Sequence, residues 1–244
     1  MSDIYQAPSS NLTDDSEGSQ FGSIERGISG DYDLEFGTVL GEAWESTKGN
    51  KGTIWLAVLI VAVISIVVQL VTSLVLEIFL GPPVSTIIGQ LVIILLTSPL
   101  TVGMFLIGVR CASNIEARSG SVLNYYDKMI PLFLTTVLMY ILILIGFVLL
   151  IIPGIYLSVS YYFALPLVAE KNLSPWEALE TSRKTVTHKW FTVFFLAIVI
   201  SLILFVSAIP LLIGLIWTVP WSVLVFGTIY KKAFGVEQST LHSN

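Results

Sequence analysis

The chain has 244 residues, of which 55% are hydrophobic and only 12% charged, with a mean hydropathy of +0.85 and a formal net charge of −5. Soluble domains carry about 25% charged residues, so a water-soluble globule is excluded: it would expose far more apolar surface than such domains do. The composition is that of a polytopic membrane protein, and no clustered basic face of the kind that binds nucleic acid is present.

Residues 1–35 hold eight acids and one base, whereas the remainder holds eleven bases and nine acids. That first segment is rich in Ser, Gly, Asp and Glu and reads as a disordered acidic tail, because it cannot bury enough apolar area to offset the entropy of ordering it. Tyr5, Ala7 and Pro8 form a short apolar island in it, a candidate contact for a partner membrane or cytoplasmic protein. The start lacks the basic and apolar regions of a cleaved signal peptide, so the first membrane segment is expected to act as an uncleaved signal.

Three hydrophobic blocks follow. Gly52–Val109 is 58 residues interrupted by one charge, Glu77; Met129–Ala169 and Trp190–Tyr230 are 41 residues each without a charge. A 41-residue helix would be roughly 60 Å long, about twice the ~30 Å hydrocarbon core. Each block is therefore expected to cross twice as a hairpin. Proline and glycine mark the turns: Gly81-Pro82-Pro83, Pro153-Gly154, and Pro210 with Gly214. The expected helices are roughly 53–79, 85–109, 130–151, 155–169, 190–208 and 212–230. The fold class is thus all-α: a polytopic domain over residues 36–232 with six transmembrane helices as three hairpins, followed by a short cytoplasmic tail at 233–244.

Arg26, Lys48, Lys51, Arg110, Arg118, Lys128, Lys171, Arg183, Lys184, Lys189, Lys231 and Lys232 all lie outside the apolar runs and away from the three turns. Basic loops stay in the cytoplasm, so both termini are expected there, in a bacterial inner membrane.

An amphipathic stretch precedes each block. Phe36, Leu40, Ala43 and Trp44 share one helical face, as do Val122, Tyr126, Met129 and Ile130, and then Trp176, Leu179, Val186 and Trp190. Such spacing suits helices in the interfacial plane. The third opens with Ser174-Pro175-Trp176-Glu177, a capping box with Ser at N-cap, Pro at N1 and Glu at N3. Each return helix holds one proline, Pro99, Pro166 or Pro220, which frees a carbonyl four residues earlier.

Two groups of polar residues are candidate sites. Ser65, Gln69, Ser73 and Glu77 recur at steps of four and form one stripe. Gln90 on the second helix falls at similar depth to Glu77. Polar groups in lipid are costly unless paired, so the stripe serves interhelical hydrogen bonding or lines a small polar cavity. The second group, Arg183, Lys184, His188 and Lys189, sets topology and offers contacts to anionic lipid headgroups. No ionisable residue lies at mid-membrane, and no P-loop, GxSxG, HExxH or GxGxxG spacing occurs. The two histidines, His188 and His242, have no partner cluster, and Cys111 is the single cysteine. No cofactor, metal or catalytic set is expected.

The runs Ile151-Ile152-Pro153-Gly154-Ile155-Tyr156-Leu157, Phe163-Ala164-Leu165-Pro166-Leu167-Val168 and Ser174-Pro175-Trp176-Glu177-Ala178-Leu179, with Ser182 and Trp190, carry a resemblance. The chain resembles bacterial six-helix inner-membrane proteins, the YciC-like proteins and the membrane domain found with some glycerophosphoryl diester phosphodiesterases. The opening Ile4-Tyr5-Gln6-Ala7-Pro8 is similar to a tail motif of many of them. The resemblance implies a six-helix fold and a setting near lipid metabolism, and brings no catalytic residues with it. The expectation is a non-enzymatic membrane-interaction or envelope- and lipid-homeostasis protein whose partners are membrane lipids; the alternative is a transporter or channel for a small neutral or lipidic solute.

Overall fold

The computed structural model describes residues 21–237 and residue 240, and within them every regular element is helical. In chain order these are α1 (Ile24–Ser29), α2 (Phe36–Thr47), α3 (Lys51–Leu80), α4 (Val84–Ala112), two 3-10 turns (Ser119–Leu123 and Tyr126–Lys128), α5 (Met129–Leu149), α6 (Ile151–Ser160), α7 (Ala164–Lys171), α8 (Pro175–His188), α9 (Trp190–Ala208) and α10 (Leu215–Phe234). The apolar island at Tyr5, Ala7 and Pro8, and His242, lie outside the described residues.

Five segments are long and apolar enough to cross a membrane: α3, α4, Ser119–Leu149 ending in α5, Ile151–Lys171 comprising α6 and α7, and α9. The protein is thus a multi-helix membrane protein. α10 does not qualify, because Thr218, Ser222 and Thr228 interrupt it and Lys231 and Lys232 close it.

The core lies where the last third of α4 meets α7 and α10. Phe105, Phe163, Tyr230 and Phe234 pack ring against ring there at centroid separations of 5.2–6.3 Å. α4 and α10 approach closely at a glycine pair: a methyl group on Gly227 would sit 2.5 Å from the carbonyl oxygen of Gly108. Only glycine on both strands of that crossing lets the backbones meet.

The structure corrects several expectations. Residues 21–35, read from composition as tail, are folded against the body. Ser23 caps α1, accepting from the amide of Arg26 at 3.2 Å, and the Gly22 amide donates to Lys231 O at 3.0 Å. Tyr32 and Leu34 are buried, and the Tyr32 hydroxyl donates to Thr185 O at 2.8 Å. Average composition conceals two apolar side chains that find a core. The Tyr32 hydroxyl is pushed far above its ordinary pKa by that burial. At the other end, residues 235–237 are likewise held against the body, as described below.

The second amphipathic stretch is not an α-helix but two 3-10 turns, in keeping with Gly120, Ser121 and Asn124, which favour turns over helix. Its Val122 is fully buried against Gly103 of α4. α2 and α8 do form, with the capping box of α8 complete. Their buried faces are Val39, Ala43 and Thr47, and Ala178, Leu179, Ser182, Thr185 and Val186; Trp44 and Trp176 stand exposed.

The break in the second block falls at Leu150, with Pro153 in the first turn of α6, where its missing N–H costs nothing. The return segment is then interrupted at Tyr161–Phe163. Pro166 offers no N–H to the Tyr162 carbonyl, so a continuous helix would leave it unpaired.

The largest correction concerns α10. The six-crossing threading places Lys51 and the turn before α10 on opposite faces, about 30 Å apart. Instead Lys51 Nζ lies 5.5 Å from the Trp217 ring centroid. Pro220 frees the carbonyl of Ile216, and the Trp55 indole N–H donates to it at 3.0 Å. Further along, the Trp221 indole donates to Leu40 O at 3.2 Å, and Lys232 pairs with Glu42 at 2.8 Å. α10 therefore runs along α2, and its first turn meets the first turn of α3.

Candidate functional site

α3 and α4 pack together along their length, and the polar stripe lies near their connecting turn. Gln69, Ser73 and Glu77 of α3 meet Ser85, Thr86 and Gln90 of α4 around a groove of about 260 Å³. Gln69 Nε2 donates to Ser73 Oγ at 3.2 Å. The small side of Gly89 admits Leu76 and the buried Thr72, which draws the helices together beneath the groove. Four of the five stripe residues thus converge; Ser65, a turn further from the tip than Gln69, does not line it. Gln69, Ser73, Glu77 and Gln90 are all exposed, so the groove lies on the surface of the hairpin.

The basic group behaves unevenly. Glu180 takes the Arg183 guanidinium with both oxygens, at 2.9 and 2.8 Å, and Lys184 at 3.4 Å. The hydrogen bond from Arg183 holds the Glu180 carboxyl below the usual carboxylate range, and the Arg183 pKa rises correspondingly. His188 Nε2 meets Ile28 O at 2.9 Å, so that nitrogen carries the proton. Lys189 makes no side-chain ion pair or hydrogen bond among the described residues. Three of the four cationic candidates are thus engaged within the protein, and the half-buried Lys189 alone of the four is without a partner among the described residues.

Lys189 stands at the rim of an apolar groove of about 680 Å³ between the start of α6, the end of α8 and the start of α9. Tyr156 and Trp190 stack at 6.2 Å, and Trp190 stacks on Phe194 at 4.8 Å. The wall's polar atoms are spent internally: the Trp190 indole donates to Tyr156 O at 3.2 Å, and the Tyr156 hydroxyl bonds Thr187 Oγ1 at 2.6 Å.

A third group was not among the sequence candidates. Glu170, 4% exposed at the end of α7, accepts from the Tyr230 hydroxyl at 2.7 Å and from the Glu237 amide at 2.6 Å. Lys171 approaches Glu170 at 3.6 Å and pairs with the Glu237 carboxylate at 3.0 Å. Lys128 donates to Ala169 O and to Asn172 Oδ1. The one hint was an acid directly closing an apolar run, in Val168-Ala169-Glu170-Lys171. These bonds tie α7, α10 and the segment after α10 together, which is a structural clasp. Among the described residues no three His, Cys, Asp or Glu side chains gather where they could hold a metal ion, and Cys111 is buried.

The chain matches no family model, no curated protein and no solved structure. Its functional reading rests on its own residues.

Proposed function

We propose that this is a multi-pass protein of a bacterial inner membrane that works by interaction with lipids and membrane partners in envelope or lipid homeostasis, without catalysis. The observation that carries this reading is the groove between α6, α8 and α9. It offers an apolar slot with an unpaired cation at its rim, which is chemistry for holding an amphiphile. The cationic segments lie on the cytoplasmic face with both termini. α3–α4 cross as a hairpin, whereas Ile152, just past the α5–α6 break, shares a groove with Lys189 and so lies towards the cytoplasmic side with it. α9 and α10 enter and leave from the cytoplasmic side, an arrangement supported by Lys51 over Trp217.

Cysteine labelling in a Cys111→Ala background tests the threading. A cysteine at Leu212, in the turn before α10, should react with an impermeant reagent only from the cytoplasmic face; reaction from the periplasm would restore the six-crossing arrangement. For the lipid reading, protein purified in mild detergent should carry co-purifying phospholipid, and delipidated protein regaining no phospholipid would sink it.

The polar groove of α3 and α4 favours a second reading, a transporter or channel for a small neutral or lipidic solute. Under it, Gln69→Ala and Glu77→Ala would abolish flux in proteoliposomes while leaving the fold intact. Unchanged flux leaves those residues with interhelical or interfacial hydrogen bonding, worth about 0.6–2 kcal/mol per bond.

A further inference from the structure

The walls of the apolar groove and its rim ask for different things of an occupant. Ile152 and Ile155 of α6 form one wall, and Trp190, Phe191 and Phe194 of α9 the other. Ile152 is 79% and Phe191 70% exposed, so the groove opens sideways, into whatever medium the exposed apolar faces of α6 and α9 require. In this protein that medium is lipid. The volume, about 680 Å³, falls within the roughly 300–1,000 Å³ of small-molecule sites. A polar metabolite or peptide would find little on the walls to orient it, because the Trp190 indole and Tyr156 hydroxyl are already bonded to Tyr156 O and Thr187. A hydrocarbon chain needs no such group.

The rim adds a requirement of charge. Arg183 and Lys184 share the Glu180 carboxylate and do not line the groove; of the two cationic candidates that do, His188 is fixed to Ile28 O, which leaves Lys189 as the one without a protein partner among the described residues. Its position one residue before Trp190 puts the ammonium at the junction of α8 and α9, where charged residues give way to the apolar α9. A positive charge directly above an apolar slot matches an acyl chain joined to an anionic headgroup, and the cytoplasmic leaflet is where anionic lipids are attracted to basic residues.

We propose that this groove binds one molecule of anionic phospholipid, with an acyl chain between Ile155 and Phe194 and the phosphate against Lys189 Nζ. The assignment rests on the reading that the protein works through lipids, and it names the lipid class and the residues that select it. Arg183 and Lys184 have no part in it, although the sequence groups them with Lys189.

Native mass spectrometry of the full-length protein, delipidated and then titrated with phosphatidylglycerol or phosphatidylcholine, is the test. Wild type should retain phosphatidylglycerol in preference to phosphatidylcholine. Lys189→Gln should reduce that preference roughly fivefold, the loss of one headgroup contact, and Lys184→Gln should leave it unchanged. Ile155→Trp, which fills the slot, should remove retention of both lipids. Ile152→Ser, at a position 79% exposed, weakens the wall without threatening the fold and serves if the tryptophan variant does not fold. Equal effects of Lys184→Gln and Lys189→Gln, or retention indifferent to both wall variants, would overturn the groove assignment while leaving a lipid-working protein. Failure of wild type to retain either lipid would overturn both.

Discussion

α4 is one continuous helix with two unlike halves. From Val84 to Thr97 it is exposed or half-buried except at Gly89, which meets Leu76 and Thr72 of α3, with Ile87 and Leu91 facing outward. From Ser98 to Ala112 it is almost wholly buried, enclosed by α10, α7 and the 3-10 turns, with Leu100, Val102, Leu106 and Val109 in the core. Both halves are apolar. The first is stabilised by transfer into a bilayer, where shape matters little because lipid chains adapt. The second is stabilised by close packing, where each missing or added methyl group is felt. Hydropathy alone does not distinguish the two environments; only packing partners do.

The sharpest way to break that contrast is to overfill the inner half. Gly227→Leu would drive side-chain atoms into the Gly108 backbone, 2.5 Å away at the first added carbon. The expected cost is about 3 kcal/mol or more, read as loss of the folded species in detergent thermal melts. Ile87→Ala on the outer half should change the same melt by less than about 0.5 kcal/mol. Equal effects would mean that the halves do not differ in kind.

Glu170→Ala comes next. It strips the acceptor from the Tyr230 hydroxyl and the Glu237 amide, at about 1–3 kcal/mol for each group left unsatisfied. Residues after Phe234 should become cleavable by protease before the body unfolds. Trp55→Phe keeps the ring and removes the indole donor from Ile216 O, with an expected loss of about 1 kcal/mol and easier labelling at Leu212.

The smallest effect belongs to the exposed start of α8. Ser174→Ala removes the N-cap bond to the Glu177 amide, at about 1 kcal/mol or less. Glu177 and Glu180 are both held below the usual carboxylate range, the first by the Ser174 hydroxyl and the second by Arg183. Their contribution is therefore fully present above the ordinary carboxylate pKa and is lost as pH falls through the depressed folded values. Thermal melts at stepped pH should show a loss of stability on acidification that is smaller in Ser174→Ala, because the hydroxyl's share of the Glu177 component is gone and only the Ser174 amide bond remains.

Much of the helical layout was legible. The bounds of α3, α5 and α9 lie within a few residues of those read from hydropathy, since an apolar run between charges has few alternatives to a helix in lipid. The capping box of α8 was readable because Ser174, Pro175 and Glu177 act within one turn. The polar groove was half legible: a period of four places Gln69, Ser73 and Glu77 on one face, and a hairpin brings Gln90 alongside. The helical repeat could not say whether that face points inward, because outward and inward depend on neighbours distant in sequence.

The remainder depends on such neighbours. Glu180, four residues before Lys184, distinguishes it locally from Lys189; the position of Trp190 beside Tyr156, which builds the groove at Lys189, is not local. The burial of Glu170 follows from Tyr230, sixty residues away, and Glu237 beyond it. What the sequence by itself determined was chemical class and local form: an apolar, helical, membrane-embedded chain with its cations outside the apolar runs, because transfer energies and backbone satisfaction act residue by residue. What the tertiary structure alone decided was that α10 runs beside α2 from Lys51 onward, that the segment around Tyr32 is core, and that one cation remains unpaired above an apolar slot. Those outcomes are set by contacts between residues as much as 190 positions apart, whose energies no local pattern encodes.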